Sequence, residues 1–232
     1  MLNHFSRLYA VLARMEALLR GEDFAFKALP ARQALLQLVV VIGGFGALYG
    51  AVMGSFGGVA GDRLLQICYA AIKVPLLLLG VFALGLPSFY VFNTLMGVRE
   101  DFGKVVRALM ASQAGLAILL ASLAPLTLGW NITSFNYPMT ILFNGAMFAL
   151  ATGGGQILLR RHYRELLERD PRHLILLRIW GLQYGFVGVQ LGWNLRPFIG
   201  IIGHPVSFFR ADTWGNAYVF LFQMLHDMFL KK

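Results

Sequence analysis

Five apolar runs of about 20 residues or more, at roughly 35–58, 67–96, 108–130, 137–159 and 174–193, divide this 232-residue chain. A helix needs about 20 mainly apolar residues to cross some 30 Å of hydrocarbon, and only a helix or a closed barrel satisfies its own backbone there. The fold class expected is therefore an all-α integral membrane protein, a bundle of five transmembrane helices. Around that bundle, the sequence divides into an amphipathic segment over 1–29, the spans over 30–193, an apolar loop over 194–216 and a short helix over 217–232. The last apolar stretch, 217–230, is broken by His226 and Asp227. That pattern suits an interfacial helix, with a sixth span as the alternative.

The basic residues fix an orientation. Lys and Arg number five before the first run (Arg7, Arg14, Arg20, Lys27, Arg32), one in the next loop (Arg63) and three in the one after it (Arg99, Lys104, Arg107). The following loop has none, and the next has Arg160, Arg161, Arg164, Arg169 and Arg172. With the amino terminus cytoplasmic, the positive-inside rule holds at every crossing. Much of the formal charge of +9 is then topological, and no nucleic-acid partner is expected. Charged residues make up only 13% of the chain, against about 25% in soluble domains, which excludes a conventional soluble enzyme. The expected residence is the bacterial inner membrane. No h-region of a cleavable signal peptide stands in the first 20 residues, so insertion is expected to rely on the first span.

Leu2, Phe5, Leu8, Tyr9, Leu12, Met15 and Leu19 recur at helical spacing before that span, predicting an amphipathic helix that lies on headgroups or docks on a partner. Cys68, the single cysteine, reads as packing and permits no internal disulfide.

Inside the spans, Gly46, Gly50, Gly54 and Gly58 recur every four residues, and Gly181, Gly185, Gly188 and Gly192 repeat the device in the fifth run. Such rows flatten a helix face and let another backbone come close, either within the chain or from a second copy. Lys73 lies two turns into the second run, where it either snorkels to the outer headgroups or contacts a lipid phosphate or a carboxylate such as Asp62. Pro75, Pro87 and Pro125 mark kinks or helix ends. The amides Asn93, Gln113, Asn144, Gln156, Gln183 and Gln190 read as interhelical hydrogen-bonding groups. In the alternative, Lys73, Asn144, Gln183, Gln190 and Arg196 form a polar path or a lipid contact. Trp130, Tyr137 and Trp193 suit an outer aromatic belt and Tyr163 an inner one.

All eleven carboxylates lie outside the runs, which weakens ion-coupled transport. The five histidines lack metal-ligand spacing, and no acid–base pair or activated nucleophile stands out. No catalytic residue, metal or cofactor is expected. Glu165 and Arg169 read as an i,i+4 ion pair, and Asn131-Ile132-Thr133 matches a glycosylation sequon. The loop from Asn194 to Asn216, with Pro197, Gly200, Gly203, Pro205, Phe208, Phe209 and Trp214, is apolar enough to fold over the bundle or lie among headgroups.

Tyr49-Gly50-Ala51-Val52-Met53-Gly54, Ala71-Ile72-Lys73-Val74-Pro75, Leu86-Pro87-Ser88-Phe89-Tyr90-Val91-Phe92-Asn93, Ala124-Pro125 and Trp193-Asn194-Leu195-Arg196-Pro197-Phe198 resemble a poorly characterised group of bacterial polytopic membrane proteins, some of which carry the label actin-binding WH-type domain protein. The resemblance covers most of the chain from about residue 45. More loosely, the five-span plan is similar to that of Yip-type membrane proteins. The resemblance implies membrane residence and no known catalytic residue. The function expected is a non-enzymatic scaffold or subunit working through helix packing, with membrane lipids and a homo- or hetero-oligomeric membrane partner; a channel or a transporter of small solutes or lipids is the alternative.

Overall fold

Long apolar stretches without internal charge favour uninterrupted helix, because every backbone N–H then finds a carbonyl one turn away. The computed structural model describes residues 13–21, 30–210 and 216–219. Five long helices form there: α1 (Ala31–Gly54), α2 (Arg63–Leu95), α3 (Phe102–Thr133), α4 (Tyr137–His162) and α5 (Arg172–Asn194). Each is long and apolar enough to cross a membrane, and no strand occurs among the described residues. The protein is an all-α helical bundle of membrane-spanning type. Most helices outrun the apolar runs: α2 has 33 residues, about 50 Å at 1.5 Å per residue, more than the hydrocarbon is thick. Pro75, Pro87 and Pro125 all sit inside continuous helix and mark no helix end.

The helices alternate in direction, giving a basic end with residues 96–101 and 163–171 and an opposite cap end with residues 55–62, 134–136 and 195–210. In cross-section they follow the order α5, α2, α1, α3, α4, so α4 and α5 are the two ends of an arc. The most buried helix is α3, where every residue from Ala108 to Ala117 is buried. Ala, Gly and Ser at most of those positions let neighbours approach from all sides.

The glycine row of α1 sets the closest contact in the bundle. A Cβ on Gly50 would lie 2.3 Å from the Ala70 carbonyl oxygen, and one on Gly54 would lie 2.8 Å from Ala70 Cβ and 2.9 Å from Ile67 Cα. At Gly46 the Pro75 nitrogen is 3.3 Å away. The row ends at Gly54. Gly58 does not continue it, because α1 has already stopped and Gly58 turns the chain at φ +122° with open space around it. The second row also departs from expectation. Cβ atoms on Gly181, Gly188 and Gly192 would meet nothing nearer than 3.8–4.0 Å, and Gly185 has nothing described within 4 Å. α5 leans on α2 through larger groups instead, with Trp180 edge-on to Phe89 at 5.0 Å.

At the basic end, ion pairs order the connections. Arg169 donates to Asp101 at 2.6 Å, Lys104 pairs with Glu165 at 3.2 Å and Arg164 with Glu168 at 2.8 Å. The expected Glu165–Arg169 pair is thus replaced by longer-range partners, since each side chain reaches an opposite charge on another element. Tyr163 is fully buried against His173, so it forms no aromatic belt. Burial, then the negative charge of Asp101, push its phenol upward. Cys68 is exposed on α2 and takes no part in packing. The Asn131 side chain is buried and donates to the Val52 carbonyl at 2.8 Å, which removes it as a glycosylation acceptor.

Of the amino-terminal amphipathic segment, 1–12 and 22–29 lie outside the described residues, as do 211–215 and 220–232 at the other end. The described part is helical over 13–20 and docks on the bundle itself. Leu18 is buried in the core, and Arg161 and His162 contact the Leu19 and Leu18 carbonyls at 3.3 and 3.1 Å.

Two outcomes test this architecture. Gly50→Ala forces α1 and α2 apart and is expected to cost about 1–3 kcal/mol, the range of overpacked cores, read by thermal unfolding in detergent. Hydrogen bonds from the Arg172 guanidinium, then from its backbone N–H, hold the Asp170 carboxyl down at about 2, from an ordinary 3.8. The charged tie is therefore complete above pH 3.8 and lost as pH falls toward about 2. A carboxyl NMR titration should show that low midpoint, and Arg172→Gln should return it toward the ordinary value.

Candidate functional site

Arg63, Gln66, Ala70 and Lys73 follow i, i+3, i+7, i+10 spacing, so they share one side of the first three turns of α2. Ala70 meets α1, and the three polar residues beside it reach the loop after α5. Arg63 donates to the Gly200 and Ile201 carbonyls at 3.2 and 2.9 Å, Gln66 to the Phe198 carbonyl at 2.9 Å and Lys73 to the Pro197 carbonyl at 2.8 Å. These bonds fold residues 195–210 over the bundle as a cap. Leu195 and Ile199 point inward and are buried. At Gly200 a Cβ would lie 2.8 Å from Arg63 Nη1 and 3.0 Å from Gln66 Oε1, so a larger residue would push these two side-chain ends aside.

Lys73 is fully buried, with its ammonium also 4.6 Å from the centre of the Phe208 ring. It neither snorkels to the headgroups nor pairs with Asp62. A carbonyl and an aromatic face replace water around the charge.

The other expected polar residues are distributed. Asn144 Oδ1 accepts from Tyr49 Oη at 3.2 Å, and its Nδ2 donates to the Thr140 carbonyl at 2.9 Å. Thr127 donates in turn to Tyr49 Oη at 3.4 Å, joining α1, α3 and α4. Gln183 donates to the Gly85 carbonyl at 2.7 Å and to Ser88, tying α5 to α2 in the basic half. Tyr184 donates to Gln113 at 3.1 Å, tying α5 to α3. Gln190 donates to Asn194 at 3.1 Å and accepts from the Ala217 N–H at 3.1 Å. Asn93 bonds within its own helix, to the Phe89 carbonyl. These amides do not form one polar path, because Asn144, Gln183 and Gln113 serve different seams of the bundle and Asn93 bonds within its own helix.

Two of the expected residues do share a space. Asn144 and Arg196 line a cavity of about 560 Å³ at the cap end, within the roughly 300–1,000 Å³ typical of small-molecule sites. Ile141, Gly145 and Phe148 of α4 form one wall, Val189, Gly192 and Trp193 of α5 face them, and Pro197, Phe198 and Ile199 form the roof. At the basic end α5 closes the interior, where Leu176, Leu177 and Trp180 pack with Leu109 and Leu159. The two helices thus make a wedge, shut at one end and open at the other. Ile141 and Val189 line the cavity and are also 48% and 45% exposed, so its side opens between the two spans.

Arg196 and Arg210 flank the mouth. The Arg196 guanidinium lies 3.3 Å from the centre of the Trp193 ring, and Arg210 donates to Tyr137 Oη at 3.0 Å. Among the described residues no group of three or more His, Cys, Asp or Glu could hold a metal. No family model matches the chain, and no curated protein and no solved structure is significantly similar to it.

Sequence reasoning missed Arg63, Gln66, Tyr49 and Thr127. The signal for the first two was present: donors beside Lys73 on one helix face, opposite a Gly- and Pro-rich loop with carbonyls to offer. Lys73→Met keeps the stem and removes the donor. It is expected to cost about 1–3 kcal/mol, as when a buried hydrogen-bond partner is lost, and to speed amide exchange over 199–203.

Proposed function

We propose that the chain is a non-enzymatic membrane protein whose working part is the α4/α5 cavity, and that this cavity takes up the tail of a membrane amphiphile. The observation that carries this reading is the apolar, side-open space between two spans that do not pack on each other at the cap end. A water-filled passage would line such a space with polar groups; here Asn144 already serves Tyr49 and Thr140, and the walls are Ile, Phe, Val and Met. An acyl chain matches those walls and reaches them from the bilayer without crossing water. A role in holding or handing on a lipid follows from that geometry; the alternation of basic residues supports a cytoplasmic amino terminus, and the resemblance to bacterial polytopic proteins supports a bacterial inner-membrane site.

The scaffold role expected from the glycine rows keeps support from Gly185, which is exposed and uncovered by any described group within 4 Å. A partner helix would use that strip of α5. The α1 row gives no such support, since α2 already fills it.

Gly145→Phe separates lipid uptake from folding. A Cβ at Gly145 meets nothing within 4 Å and Gly145 lines the cavity, so Phe is expected to occupy cavity space, and it has better helix propensity than Gly. Native mass spectrometry of detergent-solubilised protein should show a lipid retained by the wild type and lost from this variant, with the unfolding temperature unchanged. Equal lipid retention by both would refute the reading.

A further inference from the structure

The cavity occupies one half of the bundle's depth. Its walls run from Tyr137 to Phe148 on α4 and from Val189 to Trp193 on α5, in each case the half of the helix toward the cap. At 1.5 Å per residue the α4 wall is about 16 Å deep, in a helix of about 39 Å. That depth is close to half of the roughly 30 Å of hydrocarbon a span crosses, which is the share of one leaflet.

Below that level both helices are held to α3. Tyr184 of α5 donates to Gln113 at 3.1 Å. On α4, Ala151 is buried, and a Cβ on Gly155 would lie 3.2 Å from Leu116 Cβ. Farther down, Leu176, Leu177 and Trp180 of α5 pack with Leu159 of α4. Among the described residues, these side chains form a floor between the cavity and the basic end.

Direction follows from that floor. An amphiphile keeps its polar end at one surface of the bilayer and points its chain toward the midplane, because a polar group drawn into hydrocarbon loses its hydrogen bonds. A molecule whose polar end lies at the cap end runs its chain down the whole wall from Tyr137 to Phe148. One from the opposite leaflet meets the floor, and to fill the same space it would have to pull its polar end off the surface.

We infer that the cavity takes its amphiphile from one leaflet only, the leaflet at the cap end, which is the outer one when the basic end is cytoplasmic. This rests on the acyl-chain reading of the cavity and adds the side of the membrane from which the site is filled and emptied. A site filled this way stores or presents a lipid at the outer surface and gives it no route to the other leaflet.

Four residues report the outcome. Met53 and Asn144 line the cavity and are otherwise buried, so a lipid reaches them through the cavity. Leu142 in the cap half of α4 and Ile157 in its basic half are exposed and report the lipid around each half.

The test uses full-length protein in right-side-out and inverted membrane vesicles. Their exposed leaflet takes up, by cyclodextrin exchange, a phosphatidylcholine with a diazirine on its acyl chain, and residues labelled on illumination are located by peptide mass spectrometry. Right-side-out vesicles are expected to give label at Leu142, Met53 and Asn144; inverted vesicles are expected to give label at Ile157 and none at Met53 or Asn144. Gly145→Phe should lose the label at Met53 and Asn144 while keeping it at Leu142, with an unfolding temperature within a few degrees of wild type. Val189→Trp, filling the same space from the facing wall, should do likewise. Label at Asn144 from both vesicle types, or from inverted vesicles alone, overturns the outer-leaflet assignment and leaves the acyl-chain reading standing. Label at neither Met53 nor Asn144 from either type, or label there that both substitutions leave unchanged, overturns both.

Discussion

The approach of α1 to α2 is the contact on which the other helices depend. Backbone meets backbone where Gly50 faces the Ala70 carbonyl, with no room for a methyl group. In hydrocarbon no hydrophobic gain separates helix contact from lipid contact, so such closeness draws on dispersion and weak polar contacts over a flat face. Once α2 is seated there, its side bearing Gln66 and Lys73 has a fixed direction, and that direction selects the path of the chain after α5. The same seating places α1 between α2 and α3, opening the helices into an arc.

Polar groups then divide by what they fasten. Tyr49, Thr127, Asn144 and Thr140 join three helices near the middle of the core, and Gln183 and Tyr184 join α5 to α2 and α3. The ion pairs of the basic end do comparable work where water is available and such pairs contribute little individually. Against this background the cavity stands apart. Its apolar walls meet no opposing helix, and its charges sit at one rim.

The spans and their alternation were legible from charge and apolar length because the bilayer imposes both directly. The packing row of α1 was legible as far as Gly54, but four-residue spacing alone gave no sign that the helix stops before Gly58. The row in α5 has the same spacing and a different role, since a sequence pattern records flatness and not what lies across from it. Lys73 was visible as costly, and its partner was not, because a backbone carbonyl has no residue identity to read. Arg196 and Asn144 were recognised as unusual, and the bond from Arg210 to Tyr137 depends on the course of the cap.

The four bonds between α2 and the cap run in one direction only. All four come from α2 side chains and end on main-chain oxygens of residues 197–201, so apart from the space requirement at Gly200 the loop is recognised by its course and not by its letters. Substitutions can therefore accumulate in these roof residues without unfastening it, while the donors on α2 have little freedom to drift. The division leaves the lining of the roof open to variation between related chains and lets one scaffold be refitted to different occupants.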